Sequence, residues 1–534
     1  MTRSDSSAPS AARRDPAALS PLRLRLLVGS LLAVSFLGAL DHTVVSTSLA
    51  TIAGDIGALD QMSWVIVAYT LASTVLLPVL GRIGDQVGPR RVFLASLVLF
   101  LLASLVCGFA SDLPQLIAAR VVQGMSSAGL QLMSQTIVAT VTTLRDRPRV
   151  MSIVGAAFPL AILIGPVLGG LITDTVGWPW IFWINLPVGT AALVLALWAV
   201  PALPPRGRRS FDGAGAVALT VALVGLVVGV TRLGAGLDAT TVSAFAAAVV
   251  GAAVLVVVER RSDVPILPLH LLRDRTVACA IALSAIIGVG LFSIVSYVPT
   301  FIQMAYRTSA TVSGLVPIAT VFGMLVANIA SGWIISRSGR YRAFPVVGTS
   351  LATLGLAAMA VVPHGSPLVV PMALMAVVGI GTGCFMSLIV VLAQSGVAPG
   401  EIGAITATSN LVRQMGSTIG TAAIGGSLGA GVAALLPAGV DAARATPAAV
   451  RSADAATQEA VASAYADVMA PIFLVLAGVY ALGIVVAALL PAARLSDEQP
   501  PPSAAPLAEA APASTPSPVP SSSSSSSPSD SRSA

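Results

Sequence analysis

Three charged side chains lie deep inside long apolar runs of this sequence: Asp41, Arg120 and Arg413. A charge at the centre of a bilayer helix costs about 2.5–3.5 kcal/mol on insertion scales, so each demands a reason. Asp41 lies about six residues from the end of its run, and Arg120 about six from the start of its own, which runs the opposite way. At about 1.5 Å per residue both fall about 9 Å below the same surface, a depth at which they can pair. Burial favours the neutral form of a carboxyl, and a neighbouring guanidinium favours the charged form. An acid poised between those two can take up and release a proton. Arginine stays protonated, so Asp41 is the candidate proton carrier and Arg120 its modulator. The competing reading is a fixed ion pair that only holds two helices together.

The surroundings of both arginines are patterned. Arg120, Gln123, Ser127, Gln131 and Ser134 recur at helical spacing on one face, as do Thr406, Asn410, Arg413, Ser417 and Gly420. Polar side chains at this depth face protein or water, not lipid. The stripes therefore read as walls of a cavity, or as helix–helix hydrogen bonding. Gln303, Asn328 and Gln394 are further single candidates for that cavity.

The elements that position these residues are membrane helices. The chain is 56% hydrophobic and 10% charged over 534 residues, too little charge for a soluble surface. Fourteen runs are long enough to span: about 24–47, 63–80, 92–110, 114–137, 150–173, 180–200, 213–232, 241–258, 277–300, 312–334, 344–362, 368–393, 403–429 and 470–490. There is no lysine, and 23 of the 29 arginines fall on one side if the N-terminus is cytoplasmic. That bias predicts an even number of spans with both ends inside. The basic residues thus report topology and not a nucleic-acid surface. No cleavable signal peptide is read at the N-terminus, so the first span is expected to target the chain to the cell membrane. Cys107, Cys279 and Cys384 lie in apolar runs without metal-ligand spacing, and no cofactor or metal is expected. The histidines His42, His270 and His364 are scattered, and no catalytic set accompanies them.

An internal echo organises the spans. Gly81–Arg91 (GRIGDQVGPRR) aligns with Gly332–Arg342 (GWIISRSGRYR). The match pairs spans 1–6 with spans 9–14 and leaves spans 7 and 8 as an insertion. The expectation is an all-α polytopic fold of two six-helix bundles about a central cavity. In residues this gives an N-tail over 1–23, a first bundle over 24–200, an inserted pair over 201–276 and a second bundle over 277–492. The second bundle carries an outer loop over 431–469. The Pro- and Ser-rich tail over 493–534 cannot build a core. Within the fifth span, Gly155, Pro159, Gly165, Pro166, Gly169 and Gly170 suit a hinge, since proline removes a backbone donor and glycine permits close approach. The loop Gly81–Arg91 holds Gly81, Asp85, Gly88, Arg90 and Arg91, where Asp85 can cap a helix and latch an inner gate.

These segments resemble the major facilitator superfamily, in particular its fourteen-span drug:proton antiporter branch. Gly81–Arg91 is similar to the loop signature of that superfamily, and ARVVQG (119–124) to its fourth-span motif. The run from Gly155 to GPVLGG (165–170) resembles the antiporter motif. LDHTVVSTSLA (40–50), WPWIFWINLPVG (178–189) and IGAITATSNLVRQMGSTIG (402–420) resemble motifs of the fourteen-span branch. The sequence departs from those patterns at Ser46, Ala50, Gln86, Pro89 and Pro179. The resemblance implies alternating access, the proton gradient as energy source, and Asp41 and Arg120 in coupling. It also implies a monomer whose partners are small organic molecules, protons and the lipid bilayer. A dedicated exporter of a lipid, siderophore or metabolite would share these motifs, and an uptake symporter would lack the Gly-Pro run. With one embedded carboxylate against two embedded arginines, neutral or anionic amphiphiles are expected in preference to lipophilic cations.

Overall fold

The computed structural model describes residues 20–56, 63–202, 212–232, 236–262, 266, 267, 269–363, 365–436, 450, 452 and 454–495. The expected tails over 1–23 and 493–534 lie outside these residues except at 20–23 and 493–495. Part of the linker before the inserted pair and residues 437–449 also lie outside them.

Among the described residues the only strand-like pairing is an isolated bridge between Arg340 and Arg494. The helices, in chain order, are α1 (Pro21–Ile56), α2 (Ser63–Val87), α3 (Pro89–Gly108), α4 (Leu113–Val141), α5 (Arg147–Gly155), α6 (Ala157–Val176), α7 (Trp180–Trp183), α8 (Asn185–Ala199), α9 (Gly213–Arg232) and α10 (Ala239–Glu259). They continue with α11 (Arg275–Ala305), α12 (Ala310–Ser313), α13 (Leu315–Ser338), α14 (Ala343–Val361), α15 (Val369–Ser395), α16 (Ile402–Leu435) and α17 (Ala455–Ala488). Among the described residues, thirteen spans are long and apolar enough to cross a membrane, with α5 and α6 counted as one span and α7 and α8 as another. The fourteenth helix of membrane length is α4, 29 residues long, whose Arg120, Gln123, Gln131 and Gln135 make it more polar than the rest. It survives there because it is walled by protein: α2 packs along one side and α3 along the other.

Several boundaries differ from the sequence reading. The segment from Gly81 to Val87 is the last two turns of α2 and not a loop. The chain turns at Gly88, whose φ of 102° suits glycine, and α3 begins at Pro89, where the missing N–H costs nothing. The expected span over 470–490 is the inner part of a 34-residue helix, and α16 runs on to Leu435. Much of the expected loop over 431–469 is therefore helical. Its alanine-rich sequence has high helix propensity, and Asp454 caps α17 by accepting from Thr457 N–H at 3.1 Å.

The most extensive packing outside the inserted pair falls within α1–α8 and within α11–α17, and α2 on α16 and α5 on α13 join these two sets into one compact unit. The inserted pair α9 and α10 pack on each other and reach both sets, since α9 touches α2 and α16. Apolar residues fix that seat, with Leu219, Leu223 and Leu255 clustered against Leu411. The fifth span is interrupted only at Ala156, between α5 and α6, where the backbone stays in the right-handed helical region and Ala156 N–H still donates to the Ser152 carbonyl at 3.0 Å. Pro159 lies in the first turn after Ala156. Gly165 and Gly169 face α1, where an added methyl group would collide with Thr43 and Thr47, whereas Gly170 faces open space. Pro166 leaves α6 continuous and borders the central cavity.

Candidate functional site

Asp41 on α1 and Arg120 on α4 form an ion pair, Arg120 Nη1 to Asp41 Oδ2 at 2.5 Å, with both side chains wholly buried. Gln123, one turn along α4, joins them. Its Oε1 accepts from Arg120 Nη1 at 2.8 Å, while its Nε2 donates to Asp41 Oδ1 and to Ser104 Oγ, each at 2.8 Å. Asn185, the first residue of α8, donates to Asp41 Oδ1 at 3.2 Å and to Ser104 Oγ at 3.3 Å. Arg120 Nε donates to the Val65 carbonyl at 3.2 Å. The guanidinium lies 4.2 Å from the centre of the Tyr69 ring, and its Nη2 has no hydrogen-bond partner. Five helices thus contribute to one charge-neutral cluster. For groups so fully buried each hydrogen bond is strong, and a lost partner is correspondingly expensive. Gly124 makes the approach of α2 possible, because a side chain there would run into the backbone of Tyr69.

A cavity of about 580 Å³ lies beside this cluster. Its wall includes His42, the neighbour of Asp41, together with Tyr69, Ser127, Gln131, Gln135 and Arg413. Asp41, Arg120 and Gln123 are not on the wall and stand behind it. Tyr69 spans the two regions: its ring covers Arg120, and its hydroxyl donates to Ser127 Oγ at 2.7 Å. Apolar side chains complete the wall, among them Phe158 and Phe292, whose ring centres lie 5.6 Å apart. This size and mixture suit a drug-sized amphiphile.

Hydrogen bonds tie the helices together at the arginine-rich end of the molecule. Asp85, near the end of α2, accepts from the backbone N–H groups of Gly403 at 2.9 Å and Ala404 at 3.0 Å, the first turn of α16. A carboxylate is favoured at a helix N-terminus. The complementary contact lies across the molecule, where Arg145 donates to the last carbonyls of α13, Ser336 at 3.2 Å and Arg337 at 3.1 Å. Asp146 accepts from Ser336 Oγ at 3.1 Å, and Arg149 covers the Trp333 ring at 3.9 Å. Gly81 lets the first of these contacts close, since a Cβ there would stand 2.8 Å from the Gly403 carbonyl oxygen. The remaining loop candidates do other work. Arg90 donates to the Leu197 carbonyl at 2.8 Å, and Arg91 is exposed.

Asp85→Asn keeps the shape and removes the charge at the α16 terminus. A charge-assisted hydrogen bond contributes about 1.5–3 kcal/mol, so the tied arginine-rich end is expected to lose about tenfold or more in population. Spin labels on the ends of α4 and α13 would read this as a longer distance component. An unchanged distance distribution would show that Asp85 does not hold the ends together.

The other residues singled out from sequence are dispersed. Ser127, Gln131 and Arg413 line the cavity. Asn410 stands between the two halves: its Nδ2 donates to Gln135 Oε1 and its Oδ1 accepts from Arg413 Nη2, both at 2.8 Å. Asn328 donates to the Ser152 carbonyl at 3.0 Å, a contact between α13 and α5 close to Gly155. Gln394 donates to Thr406 Oγ1 at 2.9 Å, and Gln303 is half-buried on α11; neither borders the cavity. Ser104, Asn185, Tyr69, His42, Gln135 and Asp146 were not singled out from sequence. Asn185 did leave a signal, as a lone amide in an apolar run. Among the described residues, no group of three or more His, Cys, Asp or Glu is placed to hold a metal ion.

Comparison with known proteins identifies the family. The family model described as Major Facilitator Superfamily matches residues 31–421. An uncharacterised MFS-type transporter of Mycobacterium tuberculosis (strain ATCC 25618 / H37Rv) is 31% identical over 499 residues, covering 92% of this chain and 73% of that protein. The multidrug transporter protein MdtP of Bacillus subtilis (strain 168) is 30% identical over 408 residues, covering 76% of this chain and 75% of its own. The crystal structure of the human organic anion transporter MFSD10 (TETRAN) matches with a TM-score of 0.59 at 15% identity, covering 87% of this chain and 99% of that one, a likeness of fold. The matched family model runs through the helices that build the buried ion pair and the cavity wall, and this chain belongs to the major facilitator superfamily of membrane transporters.

Proposed function

We propose that this transporter is a proton-coupled antiporter that exports small amphiphilic organic molecules by alternating access. The observation that carries the reading is the wholly buried Asp41–Arg120 pair, one residue behind a cavity wall that includes His42. Placing the arginine-rich end in the cytoplasm of a cell membrane follows the charge bias of the sequence. With both termini on that side, the tied helix ends lie towards the cytoplasm. Export then requires Asp41 to gain a proton from outside and lose it inside. A proton on Asp41 discharges its side of the pair and leaves Arg120 to bond elsewhere, which ties protonation to the packing of α1 on α4. The interruption at Ala156 and the close contacts of Gly165 and Gly169 with α1 give the fifth span the part of hinge. Asp85 and Arg145 serve as the cytoplasmic latch. Relatives named for multidrug transport support small organic molecules as cargo.

The test is proton movement in proteoliposomes with an imposed pH gradient. Added substrate is expected to dissipate the gradient in the presence of the protein and not in empty liposomes. Substrate movement without proton movement would overturn the coupling.

A further inference from the structure

We propose that Arg413 anchors the anionic group of an amphiphilic substrate. This rests on the transport reading above and deepens it by naming the class of cargo.

Arg413 lies on the cavity wall, and no aspartate or glutamate accompanies it there. A guanidinium carries five N–H donors. Among the described residues Arg413 makes one hydrogen bond, from Nη2 to Asn410 Oδ1 at 2.8 Å, and no ion pair. Its partner is itself fixed, because Asn410 Nδ2 donates to Gln135 Oε1 at 2.8 Å across the two halves. The arginine is thus oriented without being neutralised. The contrast with Arg120 is direct: that charge is spent on Asp41, whereas Arg413 keeps donors and charge for whatever enters. A cation without a counter-ion inside a bilayer is expensive, and an incoming carboxylate, sulfonate or phosphate supplies both the charge and a pair of acceptor oxygens that arginine can bind bidentately. Gln131, Gln135 and Gln414 also line the cavity and add polar groups to it, while Phe158, Phe292 and Met386 supply apolar surface. The two together describe an anionic head on an aromatic or aliphatic body. An organic cation would meet Arg413 with no wall carboxylate to offset it.

The test uses the full chain in lipid nanodiscs and three radiolabelled probes on one skeleton: 1-naphthylacetate, its neutral N-methylamide, and 1-naphthylmethyl-trimethylammonium. The carboxylate is expected to bind at least tenfold tighter than the amide, with the cation weakest. Arg413→Gln should reduce the carboxylate-to-amide affinity ratio by about tenfold to a hundredfold, and Arg413→Lys should retain part of it. Asn410→Asp gives Arg413 an internal partner and should erase the preference while keeping the arginine, which serves if Arg413→Gln does not fold. A ratio unmoved by both Arg413→Gln and Asn410→Asp, or tightest binding of the cation, would overturn the assignment. So would displacement of the carboxylate by millimolar chloride, which marks a seat for small inorganic anions. Transport of the same probes separates this inference from the coupling. Proton-linked movement of the amide with no carboxylate preference defeats the anion seat and leaves antiport standing. An Arg413-dependent carboxylate preference without proton movement does the reverse.

Discussion

Asp41→Asn is expected to reduce substrate-driven proton movement at least a hundredfold. Asparagine fills the same space and its amide oxygen can still accept from Gln123 and Asn185, although, like a protonated Asp41, it leaves Arg120 without its counter-ion. What it cannot do is exchange a proton with the cavity. Arg120 cannot stand in, because a guanidinium does not release its proton in the working range. The other titratable side chains beside the pair, His42, Tyr69 and Cys107, make no hydrogen bond to Asp41. The measurement is collapse of an imposed pH gradient in proteoliposomes on addition of substrate, beside binding of the same substrate to the same preparation. Loss of proton movement with binding retained locates coupling at Asp41. Normal coupling in the variant would make the ion pair a structural tie and require another carrier.

The second large effect concerns stability, and its sign depends on which partner is removed. Breaking a buried pair by deleting one charge costs about 3–5 kcal/mol, because the other is left buried alone. The two orphans here are not equivalent. After Arg120→Gln, Asp41 can accept a proton and stay buried as a neutral acid. After Asp41→Asn, Arg120 keeps its charge in a cluster with no other carboxylate. Asp41→Asn is therefore expected to lower the denaturation midpoint more than Arg120→Gln, and the double variant to recover most of the loss. Thermal unfolding of the four proteins in one detergent decides the matter. Equal penalties with no recovery in the double variant would show that hydrogen bonding, and not charge, holds the cluster.

The part of this site that sequence made legible was the part that is expensive in lipid. Asp41, Arg120 and Arg413 stand out because a charge in an apolar run is kept only where protein or water receives it. The α4 stripe stands out because its period is that of a helix. The remaining members of the cluster have neither property. Ser104 and Asn185 are single small polar residues on α3 and α8, and only packing shows that Asn185 shares two acceptors with Gln123, Asp41 Oδ1 and Ser104 Oγ. Tyr69 sits in α2 as an ordinary aromatic until α4 is laid against it at Gly124. The same distinction applies to the helices. Bilayer thickness sets a least length for a span but no greatest length, so the positions of α2, α16 and α17 could be read while their extensions past the apolar runs could not. The pairing of Asp85 with α16, which lies more than three hundred residues away, had no counterpart in local sequence beyond an acid that suits a helix terminus.

The polarity of α4 bears on how the protein is made. The helix that carries Arg120 is the one least able to partition into lipid as it leaves the ribosome. Only four residues, Phe109 to Asp112, separate it from the strongly apolar α3. A hairpin of that kind can enter the bilayer as a unit, with α3 supplying the favourable transfer energy and shielding the polar face until α2 docks. The residues proposed here for transport therefore set an order of events during biogenesis. A change that lengthens the connection before α4, or makes α3 more polar, would act on membrane insertion before it ever reached the transport cycle.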